Sequence, residues 1–194
     1  MTTPVVSIAF HSGFGHTAVL AEAVRTGAAE TGATVHLIEV DKITEEQWAL
    51  LDASDAIVFG SPTYMGTASG AFHTFAEATS KRWFTNAWRD KLAAGFTNSG
   101  SKSGDKLHTL QFFGILAGQH GMHWVSLGLH PGWNTSEASE NDLNRLGFFL
   151  GAGAQSNNDQ GPEGVHKADL ETAAHLGRRV AEQARVFAAG RAAL

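Results

Sequence analysis

The sequence predicts an α/β domain in which a mostly parallel sheet carries helices on both faces. Short apolar runs alternate along the chain with longer segments of helical spacing, the pattern of strands joined by crossover helices. Glycine, 22 residues in all, clusters just after those runs. No repeat, low-complexity tract or charge block divides the chain, so residues 1–194 read as one domain.

Residues 5–10 (VVSIAF) form a nearly continuous apolar run, as expected of a parallel strand covered on both faces. Residues 17–30 are rich in alanine and end before Gly32, which reads as a helix with a glycine stop. Residues 34–40 alternate enough to be a second strand. Residues 44–51 read as a short helix, with Thr44 as N-cap and Glu45 and Glu46 in the first turn, where negative charge suits the helix dipole. A third strand is predicted over 56–59, and a helix over 69–79 with Phe72, Phe75, Ala76 and Thr79 at helical spacing.

The fourth strand is predicted over 92–96 and the next helix over 105–118. The fifth strand reads as interrupted: 123–127 begin it, a polar excursion follows over 128–147, and Phe148-Phe149-Leu150 resume it. A last helix begins near Lys167, with Leu170, Ala173, Gly177, Val180 and Ala184 along one stripe.

Composition narrows the function. A formal charge of -5 argues against a non-specific nucleic-acid binder, which usually shows a basic stripe. No stretch has the apolar length to span a bilayer, and Met1-Thr2-Thr3-Pro4 lacks the basic residues that open a secretory signal, so a cytoplasmic location is expected. Without cysteine there is no disulfide, thiolate metal site or cysteine nucleophile. The ten histidines include the near neighbours His120, His123 and His130, but no helical His-x-x-x-His pair with an acidic partner, so no metal site is expected.

In a parallel α/β fold, ligands gather beyond the carboxyl ends of the strands. The first such loop reads Ser12-Gly13-Phe14-Gly15-His16-Thr17 and leads into a helix. Its glycines let the backbone turn its amides inward, Ser12 and Thr17 add hydroxyls, and the helix N-terminus favours an anion. This suits one phosphate group. It lacks the Gly-Lys-Ser/Thr of a nucleoside-triphosphate loop and the Gly-x-Gly-x-x-Gly of a dinucleotide turn. Taken alone, it reads equally well as an ordinary glycine-containing turn with a capping hydroxyl. The third strand leads into Pro62-Thr63-Tyr64-Met65-Gly66, a rigid turn with an aromatic for a flat ring to pack on. The fourth leads into Asn98-Ser99-Gly100-Ser101-Lys102-Ser103, dense in small polar groups that suit the edge of a heterocycle.

Ser-x-x-Gly-His after the first strand, Gly-Ser-Pro-Thr-x-x-Gly after the third, Thr-Asn-Ser-Gly after the fourth and His120-Gly121-Met122 before the fifth resemble the flavodoxin superfamily. Within it, the chain is most similar to the tryptophan-repressor-binding-protein-like NAD(P)H:quinone oxidoreductases. The resemblance implies a three-layer flavodoxin-like fold with a five-stranded parallel sheet of order 2-1-3-4-5. It implies non-covalent FMN and two-electron transfer from NADH or NADPH to a quinone or similar small acceptor. By the same resemblance, residues 12–17 bind the ribityl phosphate and Thr63, Tyr64 and Met65 line the flavin ring. Residues 98–103 surround the pyrimidine edge, His120 approaches the flavin as the catalytic histidine, and Trp83 stands on the substrate side. The chain departs from the family's usual residues at Phe14, Tyr64, Met65 and Lys102-Ser103.

Read from its surroundings alone, His120 is better read as a helix C-terminal histidine bonded to the last carbonyls. Trp83 and Trp88 are readable as cleft walls or as a packed loop, and Trp133 as an active-site cover, a subunit contact or a loop anchor. The helix over 105–118 is apolar on more than one face, through Leu107, Leu110, Phe112, Phe113, Ile115 and Leu116, which predicts a homodimer or homotetramer. The rival functions are a non-enzymatic electron carrier and an FMN-binding regulatory or scaffold protein.

Overall fold

A computed structural model describes residues 3–193; Met1 and Thr2, which begin the amino-terminal segment considered above, and Leu194 lie outside the described residues. The elements run β1 (Val5–Phe10), α1 (His16–Glu30), β2 (Thr34–Glu39), α2 (Glu45–Ala53), β3 (Ala56–Tyr64), β4 (Thr67–Ala68), α3 (Gly70–Ala78), α4 (Ser80–Phe84), β5 (Leu92–Ser99), α5 (Lys106–Gln119), β6 (His123–Trp124), β7 (Ala152–Gln155) and α6 (Lys167–Ala192). The sheet order is β2-β1-β3-β5-β6, with β7 continuing the β6 position beside β5 and β4 folded back antiparallel on β3. The fold is therefore the expected parallel α/β sheet of flavodoxin type, and the fifth position is split between β6 and β7.

Two apolar layers hold it. Val6, Ile8, Val58 and Phe96 point to α1 and α6, meeting Leu20, Val24, Leu176 and Val180. Ile57, Phe59 and Ala93 point the other way, to Trp48, Phe72, Phe113 and Trp88. Thr44 caps α2 as expected, and its capping box is completed by the Gln47 side chain, which accepts from the Thr44 amide at 3.0 Å.

Three elements differ from the sequence reading. β3 runs on through Pro62 to Tyr64 because β1 has already ended, at the pair Phe10–Gly60, leaving the β3 edge open where proline has no amide to offer. β5 likewise continues to Ser99 rather than stopping at Phe96. The resumed fifth strand is β7, not 148–150. Gly151 lies directly on the Gly95 backbone, so close pairing with β5 needs the small run that follows, whereas Phe148 packs over Gly153 and Phe149 remains exposed.

α1 and α6 approach backbone to backbone. A Cβ on Gly27 would overlap the Ala174 carbonyl, and one on Gly177 would overlap the Val24 carbonyl. Gly177→Leu is expected to lower the unfolding free energy by about 1–3 kcal/mol in denaturant titration. Lys81→Ala, on the surface, should change it by less than about 0.5 kcal/mol.

Candidate functional site

Parallel pairing brings the carboxyl ends of β1, β3, β5 and β7 to one edge, and the loops there enclose a cavity of about 490 Å³. It is lined by Gly13, Phe14, His16 and Thr17 from the first loop and by Pro62, Thr63 and Tyr64 from the end of β3. Asn98, Ser99 and Gly100 from β5, with Ser156, Asn158, Gln160 and Gly161 after β7, complete it.

The first loop leaves its amides free. Gly15, at φ 88°, turns the chain into α1; the Ser12 hydroxyl accepts from the Ala18 amide at 3.1 Å. Among the described residues, the amides of 13–17 reach no protein acceptor, as expected of the first turn of a helix. They form an anion-ready cluster at the positive end of α1.

Glycines let the loops interlock. A Cβ on Gly13 would stand 2.5 Å from the Tyr64 hydroxyl, and one on Gly15 2.5 Å from Pro162 Cγ. Gly100 lies against the Asn158 carboxamide, and His16 Nε2 is 2.9 Å from the Gln160 carbonyl. Phe14 and Tyr64 meet edge to face at 6.4 Å. Burial pushes the Tyr64 phenol above its ordinary value, so it remains a donor at the cavity wall. Thr63 Oγ1 is bonded to Thr97 Oγ1 at 2.8 Å and Thr109 Oγ1 at 2.7 Å, tying β3, β5 and α5 together beneath the site. Asn98 Nδ2 donates to Ser156 Oγ at 2.8 Å, while Asn98 Oδ1, buried, has no partner among the described residues.

Residues 9–129 match the family described as NADPH-dependent FMN reductase. Flavodoxin FldP of Pseudomonas aeruginosa is 46% identical over 90% of this chain and 93% of its own. An NAD(P)H dehydrogenase (quinone) of Archaeoglobus fulgidus is 32% identical, over 92% of this chain and 96% of its own. Among solved structures, the flavodoxin, WrbA-like protein from Agrobacterium tumefaciens superposes with a TM-score of 0.76 at 45% identity, covering 95% of this chain and 99% of that one. The chain belongs to this FMN-dependent oxidoreductase family.

The structure brings most of the expected flavin-site residues of such a protein together. Ser12 and Gly15 shape the first loop without lining the cavity. Met65, fully exposed, and Gly66, half-buried, form the tip of the β3–β4 hairpin, with His108 Nδ1 2.7 Å from the Gly66 carbonyl. Ser101, Lys102 and Ser103 continue the β5 loop beyond the lining residues, and Lys102 Nζ sits 4.8 Å over the Trp133 ring. Trp133 thus carries a contact between the 128–147 excursion and the loop after β5.

In the single chain His120 and Trp83 lie away from this cavity. His120 caps the end of α5, beside the start of β5, where the Asp90 amide donates to the Gly121 carbonyl at 3.0 Å. About 20 Å of β5 separates that end from Asn98. The His120 ring packs on Trp88 at 4.6 Å and Nε2 bonds Thr79 Oγ1 at 2.8 Å. Trp83 is exposed on α4 at the same far end; its neighbour Arg82 pairs with Asp52 at 3.4 Å. Trp88 is wholly buried and donates to Asp52 Oδ1 at 2.7 Å.

Sequence reasoning missed Ser156, Asn158, Gln160 and Gly161. Their signal was the polar run 155–161 after a strand, hidden because that strand was placed too early. It also missed a buried ionic group behind the β5 loop: Lys106, and Arg145 paired to Asp169 through two 2.8 Å bonds.

Gly15→Ala is expected to cost about 1–2 kcal/mol of stability, because only glycine adopts its left-handed conformation freely. Calorimetry checks this. Burial lowers the His120 pKa below 6.5, so the folded imidazole stays neutral while the unfolded one takes up a proton. Stability present above pH 6.5 is therefore lost as pH falls toward the lowered folded value. His120→Gln should flatten that slope of melting temperature against pH, leaving only the share of His175, which burial also lowers.

Proposed function

We propose that the chain, acting as one domain, takes an electron pair from NADH or NADPH through non-covalent FMN and delivers it to a quinone or similar small acceptor. The observation that carries this is the opening of an anion-ready amide cluster and a buried, unpartnered carboxamide oxygen into one cavity. The residues present fit FMN. Amides of 13–17 suit its phosphate, while Asn98 Oδ1 needs an N–H of the kind the pyrimidine edge of a flavin offers. Pro62 and Tyr64 supply a rigid apolar wall for the ring, with Phe14 beside them.

FMN supplies the two-electron chemistry, so the protein need provide no nucleophile. Its residues bind the phosphate, orient the ring and keep water from the buried polar edge. Exposed Phe14, Tyr64 and Met65 offer apolar surface at the mouth for a planar acceptor. The quinone assignment takes further support from relatives named for it in Archaeoglobus fulgidus and Rhizobium meliloti.

A second reading, a carrier passing electrons between proteins, is favoured by the relative named flavodoxin. The mild charge of -5 speaks against it, since carriers use a strong acidic field to steer to partners. The partly exposed Leu107 and exposed Ile115 on α5 support a homodimer or homotetramer, which a monomer in sedimentation at micromolar concentration would overturn.

Anaerobic titration of the flavin-loaded protein with NADH, then NADPH, should bleach the visible flavin band, and benzoquinone should restore it with multiple turnovers. No bleaching by either nicotinamide, alongside ready reduction by dithionite, would favour the carrier.

A further inference from the structure

Lys106 is fully buried although it opens α5, a helix end whose dipole disfavours a cation. Burying an ammonium is costly unless every proton finds an acceptor. Here all three do: Lys106 Nζ donates to the carbonyls of Ser101, of Lys102 at 3.1 Å and of Ser103 at 3.3 Å. The chain reaches this arrangement through Asp105, held in the left-handed region at φ 55°.

The consequence follows from peptide geometry. In a trans peptide the C=O and the next N–H point in opposite directions. Three carbonyls drawn inward to one ammonium therefore turn the amides of Lys102, Ser103 and Gly104 outward. Among the described residues, none of those amides donates to a protein acceptor. We propose that Lys106 is the positioning residue of the loop after β5: by drawing these three carbonyls inward it fixes the turn that follows Ser99 and Gly100, the residues of this loop that line the cavity. The proposal rests on the FMN reading of the cavity.

The charge behind the loop stays positive. Arg145, on the excursion, and Asp169, on α6, form a bidentate pair exposed by only 3% and 2%, and Asp169 also accepts from the Gln155 amide at 3.0 Å. That pair is neutral in sum, and Lys102 and Asp105 on the same turn are exposed, so Lys106 carries the uncompensated buried charge. Burial lowers its pKa to about 8, with Asp169 opposing the shift and Arg145 adding to it. The loop is held by an ammonium at neutral pH and by an amine above about pH 8.

The test uses apoprotein of the full chain, with FMN binding read by quenching of flavin fluorescence and inorganic phosphate as competitor. Lys106→Met, of similar volume, should raise the FMN dissociation constant about tenfold or more. The phosphate competition constant, set by residues 13–17, should stay within about twofold. In the unaltered protein, FMN affinity should fall as pH rises through about 8. Lys106→Met binding FMN like the unaltered chain overturns the proposal. So does equal weakening of FMN and phosphate, the mark of general loosening. If the variant does not fold, the pH profile decides, and a flat one overturns the proposal. Failure of the unaltered protein to bind FMN would instead overturn the cofactor assignment, and this inference with it.

Discussion

Parallel strands cannot be joined by hairpins, so the chain leaving β1, β3 or β5 must climb back along a helix before it can pair again. That requirement sends every strand-to-helix loop to one edge of the sheet and every helix-to-strand loop to the other. The pairing runs without a slip from Val6–Ala56 to Phe10–Gly60 and from Ala56–Leu92 to Pro62–Asn98, so the loops that must cooperate finish side by side. Small residues let the strands and helices close up: Gly60 lies under the Phe96 ring and Gly95 under Phe113. The amide cluster of 13–17, the apolar wall at Pro62 and Tyr64 and the polar edge at Asn98 are consequences of that register.

The carboxyl half of the sheet is secured differently. β6 and β7 are two and four residues long, and between them the chain has no regular element. Its placement depends on buried polar contacts: Arg145 on Asp169, the Asn144 amide on Thr172 Oγ1 at 2.8 Å, and the Gln155 amide on Asp169. Burying charges is expensive, and a buried pair is better at fixing one arrangement than at adding stability. Here that arrangement sets β7 and the loop after it. The loop after β5 is held separately, by the three carbonyls that accept from Lys106.

What was legible in the sequence was whatever periodicity and glycine placement encode. Val5-Val6-Ser7-Ile8-Ala9-Phe10 followed by two glycines located β1 and its loop, and Thr44 before Glu45-Glu46 located the α2 cap. β7 was hidden because Ala152-Gly153-Ala154 is too small to stand out beside Phe148-Phe149-Leu150, and with it the loop residues Ser156 to Gly161 were lost. His120 lies apart from the cavity of the single chain for a geometric reason: the 14 residues of α5 span about 21 Å, carrying its end to the opposite edge from its start. A motif match does not say which edge a residue occupies. Lys106 has no signal of its own in the sequence, since nothing local announces that three carbonyls will converge on it.

The central claim is that the first loop binds the phosphate of a flavin whose ring occupies the neighbouring loops. Parallel titration of the apoprotein with FMN and with riboflavin, which differs by that phosphate alone, tests it most directly. One FMN per chain, bound at least about a hundredfold more tightly than riboflavin, is the predicted result. Equal affinity for the two flavins, or binding of neither, would contradict it.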